Sequence, residues 1–186
     1  MDISKLSKCG KVCNFNKGDE IVKIGTSGNT AFLVLKGSVD VLLGGIVNKS
    51  RQVANIPAGA FFGEMSLLEK DARSATIVAA EDGVMLLEVG ESDFMNLMKT
   101  DPELAFNMLR TLYNRIESTM EHAARHLVAY NAEIRRNKFY KEIGALNVHQ
   151  FTVIVNKQEE YAITLLKYLS HTLADLNREL MRRVNA

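Results

Sequence analysis

The placement of glycine constrains this chain of 186 residues more than any other feature. Of its 12 glycines, only Gly144 comes after residue 90. Glycine punctuates turns, so the first half reverses direction often and the second half hardly at all. Short apolar runs lie between the early glycines, at 20–24, 31–35, 39–43, 52–56, 75–79 and 84–89. Each has strand length and is bounded by turn residues. Val39-Asp40-Val41 alternates with the period of a half-buried strand. Many short strands with close turns predict a sandwich, jelly roll or barrel.

The texture changes near Ser92. Thr100-Asp101-Pro102-Glu103 reads as a helix start, with a cap candidate, proline in the first turn and acids at the positive end. Ala105, Leu109, Leu112, Ile116, Thr119, Ala123, His126 and Tyr130 then step by fours and threes. That spacing makes a helix–helix seam. It runs through about seven turns, which outlasts a small β-roll, and predicts pairing with a second copy; the alternative is packing on the chain's own domain. Residues 131–141 extend this helix and Gly144 ends it. Residues 151–155 read equally as strand or helix. Over 158–183 a second amphipathic helix is predicted, its apolar face formed by Ala162, Leu165, Leu166, Leu169, Leu173, Leu176 and Leu180. The fold expected is mainly β plus α: a jelly-roll-like β-roll over 1–100, a long connecting and dimerisation helix over 101–140, and a helical C-terminal extension over 141–186.

Composition narrows the function. Apolar residues make up 47% and charged residues 24%, as in an ordinary globular protein, and the net charge of +1 lacks the basic excess of a nucleic-acid coat. No signal peptide opens the sequence, and no apolar run approaches the roughly 18 residues that cross a bilayer. Cys9 and Cys13 are too few for a typical zinc or iron–sulfur site and sit at helical spacing. They read as reduced thiols, and the location predicted is cytoplasmic. His122, His126, His149 and His171 all lie in the helical half. A metal-dependent cupin enzyme holds its ligands inside the barrel, so the β half has none to offer. His122 and His126 are four apart, but surface or seam histidines explain them, and no metal is expected. No nucleophile–base pair or phosphate-binding Walker loop occurs, so no catalytic residue is assigned. Arg135-Arg136-Asn137-Lys138 and Arg182-Arg183 read as solvated helix surface, and DNA is not an expected partner.

The stretch that carries chemistry is Phe62-Gly63-Glu64-Met65-Ser66-Leu67-Leu68, followed after a spacer by Arg73-Ser74-Ala75-Thr76-Ile77-Val78-Ala79. Glycine allows close backbone approach, and N–H groups in a tight helical turn make an anion nest. Arginine closes on a phosphate with charge-assisted bonds. A carboxylate at the loop entrance accepts from a sugar hydroxyl. This stretch resembles the phosphate-binding cassette of the cyclic-nucleotide-binding domain family, which includes bacterial cAMP receptor proteins, protein kinase A regulatory subunits and cyclic-nucleotide-gated channels. The family's upstream signature is matched by Ile21-Val22-Lys23-Ile24-Gly25-Thr26-Ser27-Gly28 and Ala31-Phe32-Leu33-Val34-Leu35-Lys36-Gly37, with Ala31 where a larger apolar residue is usual. Ala72 stands where many members have proline.

The resemblance implies a ligand, cAMP or cGMP, held by Gly63, Glu64, Met65, Ser66, Arg73 and Ser74. Gly63 and Ser66 cradle the phosphate, Glu64 takes the ribose 2′-hydroxyl, Arg73 neutralises the phosphate and Ser74 adds a donor. Arg115-Ile116-Glu117-Ser118-Thr119-Met120 resembles the helix segment that meets adenine in cAMP receptor proteins. Thr119 falls at their adenine-contacting threonine, and Met120 replaces the serine that reaches the partner subunit's nucleotide; this favours cAMP. The implied function is a non-enzymatic sensor, a homodimer through the long helix that signals to an output protein. Its rivals are a divergent transcription regulator of the cAMP receptor type and a ligand-free structural β-roll. About 50 residues follow the long helix, against the 70–80 or so of a winged helix-turn-helix, and no recognition-helix pattern is seen in them.

Overall fold

The computed structural model describes residues 9–43, 51–122, 128–158 and 160–184. The chain divides into two compact units, up to Asn96 and from Leu97.

The first unit contains strands β1 (Lys11–Phe15), β2 (Glu20–Val22), β3 (Thr30–Lys36), β4 (Ser38–Leu43), β5 (Arg51–Pro57), β6 (Phe61–Phe62), β7 (Thr76–Ala79) and β8 (Val84–Gly90). They form two four-stranded sheets, ordered β1-β8-β3-β6 and β2-β7-β4-β5, with every pairing antiparallel. This is the double-sheet roll the glycine pattern predicts. Gly37, at φ +78°, is the single residue between β3 of one sheet and β4 of the other. A side chain there would be strained by that backbone and would press on Val84.

Inward-facing residues of both sheets make one core: Phe32 and Val34 of β3, Val84 and Leu86 of β8, Phe62 of β6, against Val22, Val39, Val41, Ile56, Ile77 and Ala79. The alternate residues Ala31, Leu33, Phe61, Leu87 and Val89 are buried on the opposite face. Helix α2 (Glu91–Thr100) begins over that face, with Phe94 edge-on to Phe61 at 5.8 Å. Burial on both faces explains why β3 and β8 read as near-continuous apolar runs. Cys13 lies in β1, so the helical spacing read between Cys9 and Cys13 does not apply.

The second unit is helical: α3 (Pro102–His122), α4 (Val128–Arg136), α5 (Lys138–Ala145), α6 (Val148–Val155) and α7 (Tyr161–Val184). Asp101 caps α3, its Oδ1 accepting from the Leu104 N–H at 3.0 Å. One long helix over 101–140 is not what forms. Asn131 donates through Nδ2 to the carbonyl of Met120 at 3.0 Å, 11 residues away. In a continuous helix that separation would be about 16 Å, so α4 turns back along α3. The return continues through Arg135 against Glu117 at 3.6 Å, Tyr140 stacked on Tyr113 at 4.7 Å, Arg110 donating to the Gly144 carbonyl at 3.2 Å, and Phe151 against Phe106 at 5.5 Å. Caps break the returning leg into short helices. The Asn137 side chain accepts from the Tyr140 N–H, and Asn147 and Gln150 form a capping box at the head of α6. Residues 151–155, readable either way, are therefore helical, and Gly144 lies within α5.

This folding-back gives the apolar stripe a partner within the chain. Ala105, Leu109, Leu112 and Ile116 are fully buried within one chain, where α3 packs against α6 and against α7 with its buried Leu165, Leu166, Leu169, Leu173 and Leu176. The stripe outlasts a small roll because the chain supplies its own bundle to cover it. Its members Ala123 and His126 lie outside the described residues, as does the side chain of His122.

Candidate functional site: the phosphate-binding cassette

β6 sets the cassette in place. Its two residues pair with Leu33 and Phe32 of β3, and the Phe62 ring stacks on Phe32 with centroids 5.1 Å apart. Gly63 follows at φ +75°, where a Cβ would stand 2.5 Å from Nη1 of Arg73. The position therefore requires glycine twice over, for its backbone angle and for the guanidinium beside it. Helix α1 (Glu64–Glu69) starts there, and its first turn leaves backbone N–H groups with no helical acceptor. Lys70 ends it in a left-handed conformation at φ 59° and pairs with Glu91.

The loop after α1 brings back Arg73, and both sequence signatures converge on this residue. Its backbone N–H donates to Thr26 at 2.8 Å, and its carbonyl accepts from the Gly25 N–H at 2.8 Å. Its guanidinium makes four hydrogen bonds: Nη1 to the Gly63 carbonyl at 2.7 Å and to Ser66 Oγ at 2.7 Å, Nη2 to the Thr30 carbonyl at 2.8 Å and to Thr30 Oγ1 at 3.2 Å. Ser66 in turn donates to the Gly63 carbonyl at 2.9 Å. Gly28 lies so close that a Cβ there would overlap the guanidinium. The Phe32 ring is 6.0 Å below it. Arg73 is only 8% exposed, unusual for an arginine and therefore informative.

Burial disfavours the charged form and draws Arg73 below the usual guanidinium value; the carboxylates of Glu64 and Glu88 work in the other direction. An arginine remains a cation at neutral pH all the same. Glu64 and Ser66 are buried, Met65 is half-buried and Ser74 is exposed. The structure thus brings Gly63, Glu64, Ser66 and Arg73 together, with Met65 and Ser74 on the same loop. Thr119 lies on α3 of the helical unit, half-buried, its hydroxyl donating to the Arg115 carbonyl at 2.8 Å. Met120 is fully buried in the bundle.

Two residues of this centre escape the sequence reading. Thr30 supplies two acceptors to Arg73, and its position between Gly28 and Ala31 in the upstream signature was the available signal. Glu88 gives no motif at all. A cleft of about 280 Å³ opens between the β2–β3 loop, at Gly25, Ser27 and Gly28, and the cassette residues Ser66, Leu67 and Lys70. It lies beside Arg73, which is not among its lining residues, and is at the small end of ligand cavities. Among the described residues no group of three or more His, Cys, Asp or Glu could hold a metal, and no helix is long and apolar enough to cross a membrane.

Known proteins share this arrangement in sequence. The pattern of the cyclic nucleotide-binding domain matches residues 12–101. The chain is 33% identical over 103 residues to cGMP-dependent protein kinase 2 of Homo sapiens, covering 55% of this chain and 14% of the kinase. It is 33% identical over 123 residues to the cyclic AMP receptor protein of Thermus thermophilus, covering 62% of this chain and 56% of that protein. The chain therefore spans about a seventh of the first relative and little more than half of the second. A solved chain described as "A cyclic-GMP-dependent signalling pathway regulates bacterial phytopathogenesis" aligns with a TM-score of 0.50 at 26% identity, over 62% of this chain and 91% of that one. With its two antiparallel sheets, its cassette and its buried arginine, the β-roll at residues 12–101 belongs to the cyclic nucleotide-binding domain family.

Proposed function

We propose that this chain is a non-catalytic sensor of a cyclic nucleotide, cAMP in preference to cGMP. Arg73 supplies the countercharge to the phosphate. The N–H groups at Gly63–Ser66 and the Ser74 donor complete the cradle, and Glu64 accepts from the ribose 2′-hydroxyl. Thr119 meets the base, and the helical unit carries the response to an output protein. A ligand shifts that response only by its differential affinity for two states of the protein.

One observation carries the reading. Residues distant in sequence close on Arg73: Gly25 and Thr26 hold its backbone, and Thr30, Gly63 and Ser66 hold its buried guanidinium. Those hydrogen-bond partners of the guanidinium are neutral carbonyls and hydroxyls. A phosphate offers shorter, charge-assisted bonds and can replace them. Calorimetric titration tests this. Saturable cAMP binding at about one ligand per chain is expected, weaker for cGMP and lost in Arg73→Ala. Arg73→Lys keeps the charge but not the planar fork and is expected to bind weakly. No heat with either nucleotide at millimolar concentration overturns the reading.

A second reading has its own support. The four bonds of Arg73 already satisfy much of its donor capacity within the protein, as they would in a ligand-free structural roll. That reading gains if Arg73→Ala lowers thermal stability while cAMP changes the melting temperature of neither protein.

A further inference from the structure

The interior of the roll contains a carboxylate to which nucleotide binding assigns no task. Glu88 on β8 stands opposite Phe32 of β3 and Lys11 of β1. Residues directly opposite in an antiparallel pair share a face. Phe32 faces the core between the sheets, as do Leu86 and Val84 along β8 itself. Glu88 therefore points the same way, and it is partly buried. Its carboxylate accepts from the Cys13 thiol at 3.8 Å.

Arg73 sits over the same strand pair. Its guanidinium is above the Phe32 ring and bonds to Thr30, whose partner on β8 is Gly90, two residues from Glu88. Glu64 approaches from α1, fully buried. One guanidinium thus lies in the field of two carboxylates, and both act on it. Lys11 is exposed at the sheet edge, where solvent screens it. The surroundings of the phosphate site therefore carry a net negative charge before any ligand arrives.

Resting on the cyclic-nucleotide reading, we propose that Glu88 is a specificity-determining residue, a fixed anion that makes the site accept the singly charged phosphodiester of a cyclic nucleotide and reject the doubly charged phosphomonoester of the linear one. Arg73 neutralises one charge. The second charge of a monoester, carried at neutral pH, finds among the residues lining the cleft one cation, Lys70, already paired with Glu91, and faces Glu88 across a partly dry interior. Coulomb energy scales with the product of the charges. Removing Glu88's charge therefore helps the monoester by about the square of the factor by which it helps the diester.

The test is titration of wild type, Glu88→Gln and Glu88→Asp with cAMP and with 5′-AMP, each protein checked by thermal melting. Glu88→Gln is expected to tighten cAMP roughly threefold and 5′-AMP roughly tenfold, so that the preference for the cyclic form falls. Glu88→Asp keeps the charge and is expected to keep the wild-type preference, which separates charge from packing. If wild type binds cAMP and Glu88→Gln leaves the preference unchanged, the role of Glu88 is overturned and the sensor reading stands. If neither wild type nor Glu88→Gln binds either nucleotide, both fall. Binding of cAMP by Glu88→Gln alone would support Glu88 as an anion that closes the site.

Discussion

Each unit of this protein buries a polar cluster, and the two clusters are held differently. In the roll, Arg73 is gripped by the carbonyls of Thr30 and Gly63 and the hydroxyls of Thr30 and Ser66. In the bundle, the Tyr140 hydroxyl donates to Glu117 at 2.8 Å, with Tyr113 stacked on the ring and Arg135 beside the carboxylate. Burial and the Glu117 carboxylate push the Tyr140 phenol far above its usual value, so it stays protonated as a fixed donor. The first cluster depends on backbone shape, joins segments far apart in sequence, and grips a permanent charge through hydrogen bonds to neutral carbonyls and hydroxyls. The second depends on side chains of neighbouring helices and ends in a settled pair. A cluster of the first kind has something to gain from an incoming anion; one of the second kind only holds the bundle together.

The largest effect comes from the bundle. Leu112→Ala opens a cavity in the α3 seam and is expected to cost about 2–5 kcal/mol, by chemical denaturation. The loss should be the same at protein concentrations a hundredfold apart; a concentration-dependent loss would return the seam to a second copy. Next is Gly63→Ala, which combines a left-handed backbone with a contact on Arg73 and is expected to cost about 1–3 kcal/mol. It should weaken cAMP as well, whereas stability lost at unchanged affinity would detach Gly63 from the site. The smallest is Tyr140→Phe, about 1 kcal/mol, with cAMP affinity within about a factor of two. A larger affinity change would break the contrast by tying the bundle's cluster to the ligand.

What the sequence discloses follows the same division. Gly63 and Arg73 have few substitutes at their positions, so the cassette appears as a motif. The core strands β3, β4, β7 and β8 appear because each is a compact apolar run. β1 is a largely exposed edge strand and β6 has two residues, so neither leaves a period to detect. The return of α4 along α3 was missed because the apolar spacing of the sequence continues through Ala123 and Tyr130. Asn147-x-x-Gln150 carried a legible capping box that pointed to a fresh helix start. Thr30 lay within a legible signature, whereas Glu88 is placed by the register of β8 against β3, which no local pattern encodes.

The position of β8 has a consequence for how the protein comes into being. This strand lies between β1 and β3, pairing with both, yet it is the last strand of the roll to be made. A nascent chain that has passed Ser74 already contains every ligand residue assigned to the cassette but not the strand that joins β1 to β3. Closing such long loops is the slow part of assembling a β fold. The cassette therefore gains its full sheet only once synthesis has passed Gly90, and a chain cut short of β8 would possess the motif without the roll that holds it.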